Sequence, residues 1–338
     1  MEAQFYQTFK ETVYCHLCAH HCVIGPNKAG LCGVRVNRKG ILETRVYGQL
    51  VAQSSDPIEK KPLYHFYPGS RSYSIATVGC NFSCRFCQNA DIAQLPQQRD
   101  GAIMGKTVAP RAVVTAAEQH QCQSIAYTYT EPTIFFEYTL DTARLAREKE
   151  IKNVYVSNGY TSEAALDAIA PFLDAANVDL KAFSETFYKK YCGAALTPVL
   201  ETLKRMKRLG IWLEVTTLII PGLNDAPEEL KALAMFIVNE LGPQTPWHIS
   251  RFHPTHRMTD RPATPLEMLG NTKEIGLNAG LHYVYMGNVF SRDGGTTKCP
   301  QCKSTVIERK GFQIAEINTR NGSCKNCGTP IDGIGISR

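Results

Sequence analysis

The hydrophobic and polar positions of this chain change period many times, and each change marks an element. From residue 72 onward, short runs rich in β-branched and aromatic residues alternate with stretches whose apolar positions recur every three or four residues, as in repeated β/α units. The runs SYSIATVG (72–79), SIAYTYT (124–130), NVYVSNG (153–159), ANVDLKA (176–182), WLEVTTLII (212–220), WHISRFHP (247–254) and HYVYMGN (282–288) read as strands. Helices with recognisable ends lie between them. Pro110 takes the first turn ahead of RAVVTAAEQH, Thr161 caps SEAALDAIAPFL, and Asp225 caps APEELKALAMFIVNEL, which stops at Gly242. Strands joined in this way predict an α/β fold, a partial or complete barrel over residues 72–297.

Two smaller segments flank that barrel. Residues 1–71 form a Cys-rich N-terminal extension, with hairpin-like alternation in GILETRVYGQLVA and a Pro-punctuated link, DPIEKKPLYHFYPGS. The aromatic run Tyr64, His65, Phe66 and Tyr67 in that link either packs onto the barrel or lines a way in for substrate. Residues 298–338 form a separate module in which STVIERKGFQIAEI reads as a hairpin turning at Lys310-Gly311.

In barrels of parallel strands the chemistry sits at the C-terminal strand ends. Those ends are rich here: a cysteine loop, then Tyr129-Thr130-Glu131-Pro132, Ser157-Asn158-Gly159, Asp179 with Lys181, and finally Arg251, His253 and His256. A lone polar residue after a strand often does no more than cap the next helix, but this many at one edge mark a site.

Composition adds the setting. Hydrophobic content of 43% and charged content of 20% fit a soluble protein with a sizeable core. The net charge of +6, from 37 basic and 31 acidic residues without long runs of either sign, tolerates an anionic partner such as nucleic acid without demanding one. No leader pattern opens the chain and no stretch approaches the ~20 apolar residues of a membrane span, so a cytoplasmic protein without a membrane partner is expected. There, thirteen cysteines stay thiols and close groups of them read as metal ligands.

The cysteines fall into three groups. Cys299, Cys302, Cys324 and Cys327 form two C-x2-C knuckles, the pattern of a zinc ribbon or its rubredoxin-type iron analogue. Cys15, Cys18, Cys22 and Cys32 supply four thiolates that suit either zinc or a closed auxiliary [4Fe–4S] cluster, and the adjoining His16, His20 and His21 are not needed as ligands. Cys80, Cys84 and Cys87 form C-x3-C-x2-C, one thiolate short of closing a site. A cubane needs one ligand per iron, so three thiolates leave one iron open to a chelating amine and carboxylate, which S-adenosylmethionine carries. Cys122 and Cys192 remain and read as inert buried thiols.

C-x3-C-x2-C after the first strand of a β/α series, with Phe86 before the last cysteine, resembles the radical S-adenosylmethionine superfamily. The resemblance implies a partial (β/α)6-type TIM barrel and a [4Fe–4S] cluster on Cys80, Cys84 and Cys87, reduced by a one-electron donor, that cleaves S-adenosylmethionine to a 5′-deoxyadenosyl radical. The other strand ends resemble the glycyl-radical activating enzymes, such as the pyruvate formate-lyase activating enzyme. By that likeness Phe86, Thr130, Glu131, Asp179, Lys181 and His253 bind the cofactor, with Glu131 and the Thr130 backbone receiving its ammonium. This chain has Tyr129 and Thr130 where that group has paired glycines, and Ser157 and Asn158 become candidates for the ribose. CHLCAHHCVIGPNKAGLCGVR, the stretch running from DPIEKKPLYHFYPGS into the cysteine loop, YTYTEPTIFFEY and the terminal CPQC with CKNCGTPIDGIG together resemble the AmmeMemoRadiSam-system radical enzymes. That likeness implies Memo-like and AMMECR-like partners. The function expected is hydrogen abstraction from a substrate, with activation of a glycyl radical on a protein partner as the first reading and radical modification of another protein or an RNA as the second. A metal-stapled adaptor whose radical site has decayed is the contrasting reading.

Overall fold

Each of the seven runs read as strands supplies one parallel strand of a single sheet. The computed structural model describes residues 1–289 and 294–336. The sheet contains β1 (Ala52–Pro57), β2 (Arg71–Ala76), β3 (Ser124–Tyr127), β4 (Lys152–Ser157), β5 (Ala175–Asp179), β6 (Trp212–Ile219), β7 (Trp247–Arg251) and β8 (Val284–Gly287). Lateral order follows chain order. β2 to β8 run parallel, and β1 lies antiparallel to β2 at one edge, so the segment read as an N-terminal extension contributes a strand to this sheet. The crossovers carry α1 (Pro110–Gln119), α2 (Phe136–Glu148), α3 (Glu163–Ile169), α4 (Leu196–Arg208), α5 (Pro227–Phe236) and α6 (Leu266–Asn278). The result is the mostly parallel α/β fold expected, open between β1 and β8. Strands covered on both faces carry continuous apolar runs, and all four residues of β3 are buried.

Local chemistry moves two helix starts by one residue. Ser162, not Thr161, is the cap of α3, accepting a hydrogen bond from the Ala165 N–H at 3.2 Å. Ala226, not Asp225, precedes α5; Asp225 instead accepts from the Gly222 N–H at 2.9 Å and closes the preceding turn. Most of the strands also stop short of the predicted ends, which leaves the polar residues of the site in the loops beyond them.

The flanking segments are small sheets. Tyr6–Phe9, Thr12–Cys15 and Val23–Ile24 form one, and Arg35–Arg38 pairs with Ile41–Thr44. Thr305–Lys310 and Gln313–Ile317 form the expected C-terminal hairpin, with Gly311 in the turn. No helix among the described residues is long and apolar enough to cross a membrane.

At the N-terminal ends of the strands, the link and the C-terminal module close the barrel floor around a buried acid. The Glu214 carboxylate accepts from the backbone N–H groups of Tyr64 (3.0 Å) and His65 (2.8 Å), from Trp212 Nε1 (3.1 Å), and pairs with His248 Nε2 at 2.6 Å. His65 bridges Tyr285 Oη and the Asp332 carbonyl, each at 2.6 Å, and Arg309 donates to the Tyr64 carbonyl at 2.6 Å while lying over the Tyr64 ring. The aromatic run is therefore part of the floor, not a passage for substrate.

Burial holds His65 neutral, lowering its pKa from 6.5 to about 4. A depressed histidine pKa contributes stability that is complete above the unfolded value and is lost as pH falls through the folded one. The floor should hence loosen between pH 6.5 and about 4, by up to roughly 3 kcal/mol. Urea midpoints across that window measure it, and His65→Gln should flatten the slope; an unchanged slope in the variant would remove His65 from the account.

Candidate active site

The C-terminal strand ends meet in one cavity of about 320 Å³. Cys80, Cys84, Cys87 and Phe86 line it from the loop after β2, Thr130 and Glu131 from the loop after β3, Ser157 and Asn158 from the end of β4, and Asp179 and Lys181 from the end of β5. Ten of the eleven residues predicted for the three-thiolate and cofactor site are thus gathered around one space. The eleventh, His253, stands outside it: Phe252 is buried and its N–H is held by Thr264 Oγ1 at 2.9 Å, which turns the exposed His253 away. Ser250 of β7 and Asn288 after β8 face the cavity instead.

The cysteine loop is held from below and behind. Gly79 adopts φ +98°, and a Cβ there would lie 2.6 Å from Val34 Cγ1 and 3.0 Å from the Cys32 carbonyl, so glycine alone lets the loop pass this close to the N-terminal segment. Cys80 Sγ receives the Phe82 N–H at 3.3 Å and the Asn158 amide at 3.7 Å. Burial, with Glu131 nearby, pushes the Cys80 thiol well up, and burial pushes Cys87 to about 11. Cys84 is held below the ordinary thiol range by a hydrogen bond with Cys192 and by Lys181. A buried thiol becomes a ligand only when a cation offsets the lost proton. Three such sulfurs lining one cavity, with amide donors aimed at one of them, fit a metal cluster that leaves an open coordination position.

Glu131 is the most constrained acid in the site. Its Oε1 accepts from Thr133 N, Thr133 Oγ1 and Ser157 Oγ at 3.0, 2.7 and 2.9 Å; its Oε2 accepts from Asn158 N at 2.8 Å and keeps capacity for one more donor. Burial nonetheless raises its pKa. Ser157 and Asn158 are correspondingly committed: the Ser157 hydroxyl also accepts the Gly159 N–H, and the Asn158 amide spans Cys80 and Asn81. Lys181 Nζ pairs with Asp179 at 2.9 Å and lies 5.8 Å from the Phe86 ring centre. Burial opposes its charge, but Asp179 and Cys84 outweigh burial and hold its pKa well above the ordinary lysine value.

Sequence reasoning missed a buried cluster beside this space. Tyr129 takes φ +64°, the left-handed conformation a glycine adopts freely. Its hydroxyl donates to Asp56 Oδ2 at 2.6 Å and Lys61 Nζ lies 4.4 Å from its ring centre, contacts that hold a tyrosine in that conformation. Burial pulls the Asp56 pKa up, but hydrogen bonds from Lys61, Tyr129 and Lys60 outweigh it and keep the carboxyl well below the usual range. Burial lowers Lys61 to about 8. Cys192 was also missed: it lies far from Cys84 in sequence and meets it only through the fold, where Ser83 and Arg85 N–H groups bond the Cys192 and Tyr191 carbonyls at 2.9 Å. The DPIEKK run and the lone cysteine carried no local signal of either contact.

The two flanking cysteine groups differ. Cys299, Cys302, Cys324 and Cys327 bring their sulfurs within 4.8 Å of one another, with Cys299 to Cys327 at 3.6 Å and Cys302 to Cys324 at 3.7 Å. Those two spacings would suit edges of a tetrahedron about a single ion with metal–sulfur bonds of about 2.3 Å. Cys15, Cys18, Cys22 and Cys32 line a small second cavity together with Arg35 and Asn81.

The radical SAM superfamily profile matches residues 74–236. An uncharacterized protein of Methanocaldococcus jannaschii is 43% identical over 334 residues, covering 98% of each chain. The isethionate sulfite-lyase activating enzyme of Nitratidesulfovibrio vulgaris is 30% identical over 114 residues, 33% of this chain and 37% of that one. In fold, the chain is similar to a radical SAM methyltransferase from Sphaerobacter thermophilus, with a TM-score of 0.50, 17% identity, and coverage of 65% of this chain and 67% of that chain.

Proposed function

Because the chain belongs to the radical SAM superfamily and is an enzyme of that type, we propose that Cys80, Cys84 and Cys87 hold its [4Fe–4S] cluster and that the cavity above them binds S-adenosylmethionine. The observation that carries this reading is the convergence of three cysteine sulfurs, the Glu131 carboxylate and the Asp179–Lys181 pair on one cavity at the strand ends. With both groups bound, one-electron reductive cleavage of the sulfonium supplies a 5′-deoxyadenosyl radical that abstracts hydrogen from a substrate. The chain's own residues orient and shield. Glu131 Oε2 offers its remaining acceptor site to an ammonium, and the Phe82 N–H and Asn158 amide stabilise thiolate charge on Cys80. Lys181 places a cation beside Cys84 and is positioned to meet a carboxylate.

The substrate reading follows the activating-enzyme relative: a glycyl radical raised on a protein partner, with a one-electron donor upstream. The reading of Memo-like and AMMECR-like partners rests on the motif resemblance alone. Anaerobic assay for 5′-deoxyadenosine with S-adenosylmethionine and dithionite tests the activity, and transfer of deuterium from an α-deuterated peptide glycine into 5′-deoxyadenosine tests the substrate. No nucleoside after full cluster assembly would leave the adaptor reading in its place.

Lys181→Met should retain the cluster's iron and visible absorption yet lower 5′-deoxyadenosine formation by about tenfold or more, since it removes a charge of about 1.4 kcal/mol or greater worth at the barrier or in binding. If turnover and apparent S-adenosylmethionine affinity are both unchanged, the lysine has no part in cofactor placement.

A further inference from the structure

We propose that the N-terminal quartet, Cys15, Cys18, Cys22 and Cys32, holds a second [4Fe–4S] cluster rather than zinc, and that this cluster passes single electrons to the three-cysteine site. The second half rests on the reading of Cys80, Cys84 and Cys87 given above; the first half does not.

Three observations carry it. The quartet lines one cavity, yet among the described residues its sulfurs make none of the 3.6–3.7 Å contacts that draw the C-terminal quartet around a single ion. Cubane thiolates, each on its own iron, sit further apart than the ligands of one tetrahedral ion. Arg35 lines the same cavity, is 1% exposed, and its Nε has no hydrogen-bond partner, although its Nη groups are bound to Glu137 and to the Gln4 carbonyl. A buried guanidinium N–H without a partner is costly unless a group absent from the protein accepts it, and cluster sulfur with anionic thiolates is such an acceptor. The two cysteine sites are also joined by single residues. Gln97 Nε2 donates to the Leu31 carbonyl, next to Cys32, and to the Cys80 carbonyl, each at 3.1 Å, while His20 Nε2 bonds the carbonyl of Asn81 at 2.7 Å.

The redox step balances without protons. A low-potential one-electron carrier gives one electron to the N-terminal cluster, taking it from 2+ to 1+; the electron then moves to the three-cysteine cluster, and the N-terminal cluster returns to 2+. That order puts docking of the carrier on the N-terminal face and leaves the barrel mouth to the substrate.

The full chain carrying Cys80→Ala, Cys84→Ala and Cys87→Ala, reconstituted anaerobically, tests the site independently of any turnover. About four irons with about four acid-labile sulfides beyond the C-terminal ion, and a cubane Mössbauer doublet, are expected. One zinc and no sulfide at the quartet overturns the assignment. In the parent protein, dithionite reduction of both clusters should split or broaden the EPR signal relative to the triple variant, and a simple sum of two isolated spectra overturns the relay. Cys18→Ser with Cys22→Ser should slow turnover driven by a flavodoxin-class donor by tenfold or more while dithionite-driven turnover persists. Equal losses with both reductants also overturn the relay, and should this double variant fail to fold, the spin interaction in the parent decides.

Discussion

Replacing any one of Cys80, Cys84 and Cys87 with alanine should abolish conversion of S-adenosylmethionine to 5′-deoxyadenosine, to below about one part in a thousand of the parent rate, on the order of 4 kcal/mol at the barrier. The size follows from what the three sulfurs do together. On the proposed assignment each would supply one iron with its protein ligand and the remaining iron would stay open for the cofactor, so two thiolates would not assemble the same open site. The Phe82 N–H and the Asn158 amide at Cys80 and the Lys181 cation beside Cys84 are arranged around thiolates and gain nothing from a methyl group. Cys122→Ala is the matching control. That thiol lies 3.2 Å from Ser55 Oγ, outside the cavity lining, and its loss should leave turnover intact. Nucleoside formation by a single-alanine variant at an undiminished rate would falsify the assignment of the loop as the cluster site, and the C-terminal four-cysteine group would be unaffected by that failure.

Much of this arrangement was legible in the chain because its signals are local. Three cysteines in one short loop announce themselves as C-x3-C-x2-C, and the strand runs place Glu131, Asn158, Asp179 and Lys181 at one edge by period alone. His253 shows where period stops being enough: the run WHISRFHP continues the alternation, but Thr264 pins the Phe252 N–H and ends the strand at Arg251, which sets the histidine outside. Tyr129 shows a different limit. Its left-handed φ is held through Asp56 and Lys61, residues from the link before β2. Long-range polar contacts of this kind have no spacing in the sequence to betray them. The barrel floor has the same character, since Glu214, His248 and Tyr285 each look like one polar or aromatic position in an otherwise apolar strand.

That floor carries the largest expected effect on stability. Glu214→Ala should destabilise the protein by about 3–5 kcal/mol, because it strands several buried donors at once and removes the partner of His248. The Tyr64 and His65 N–H groups and Trp212 Nε1 all end on this one fully buried carboxylate. Burial favours its neutral form, but His248 and the surrounding donors outweigh burial and hold its pKa below the usual glutamate value. The sign for pH follows: the contribution is complete above the ordinary carboxylate range and is lost as pH falls through the lowered folded value. Glu214→Gln, which keeps an acceptor oxygen but not the charge, should fall between the parent and the alanine variant. The link anchored here also carries Lys61 and leads from β1, whose Asp56 holds Tyr129 at the opposite end of the barrel. Loosening the floor should consequently reach the cavity, and Glu214→Ala protein examined well below its unfolding midpoint should bind S-adenosylmethionine more weakly than the parent. Unfolding in urea at neutral pH measures the first effect and equilibrium binding the second; a midpoint within experimental error of the parent would mean that water or a shifted side chain replaces the carboxylate, and that the floor is not the fold's anchor.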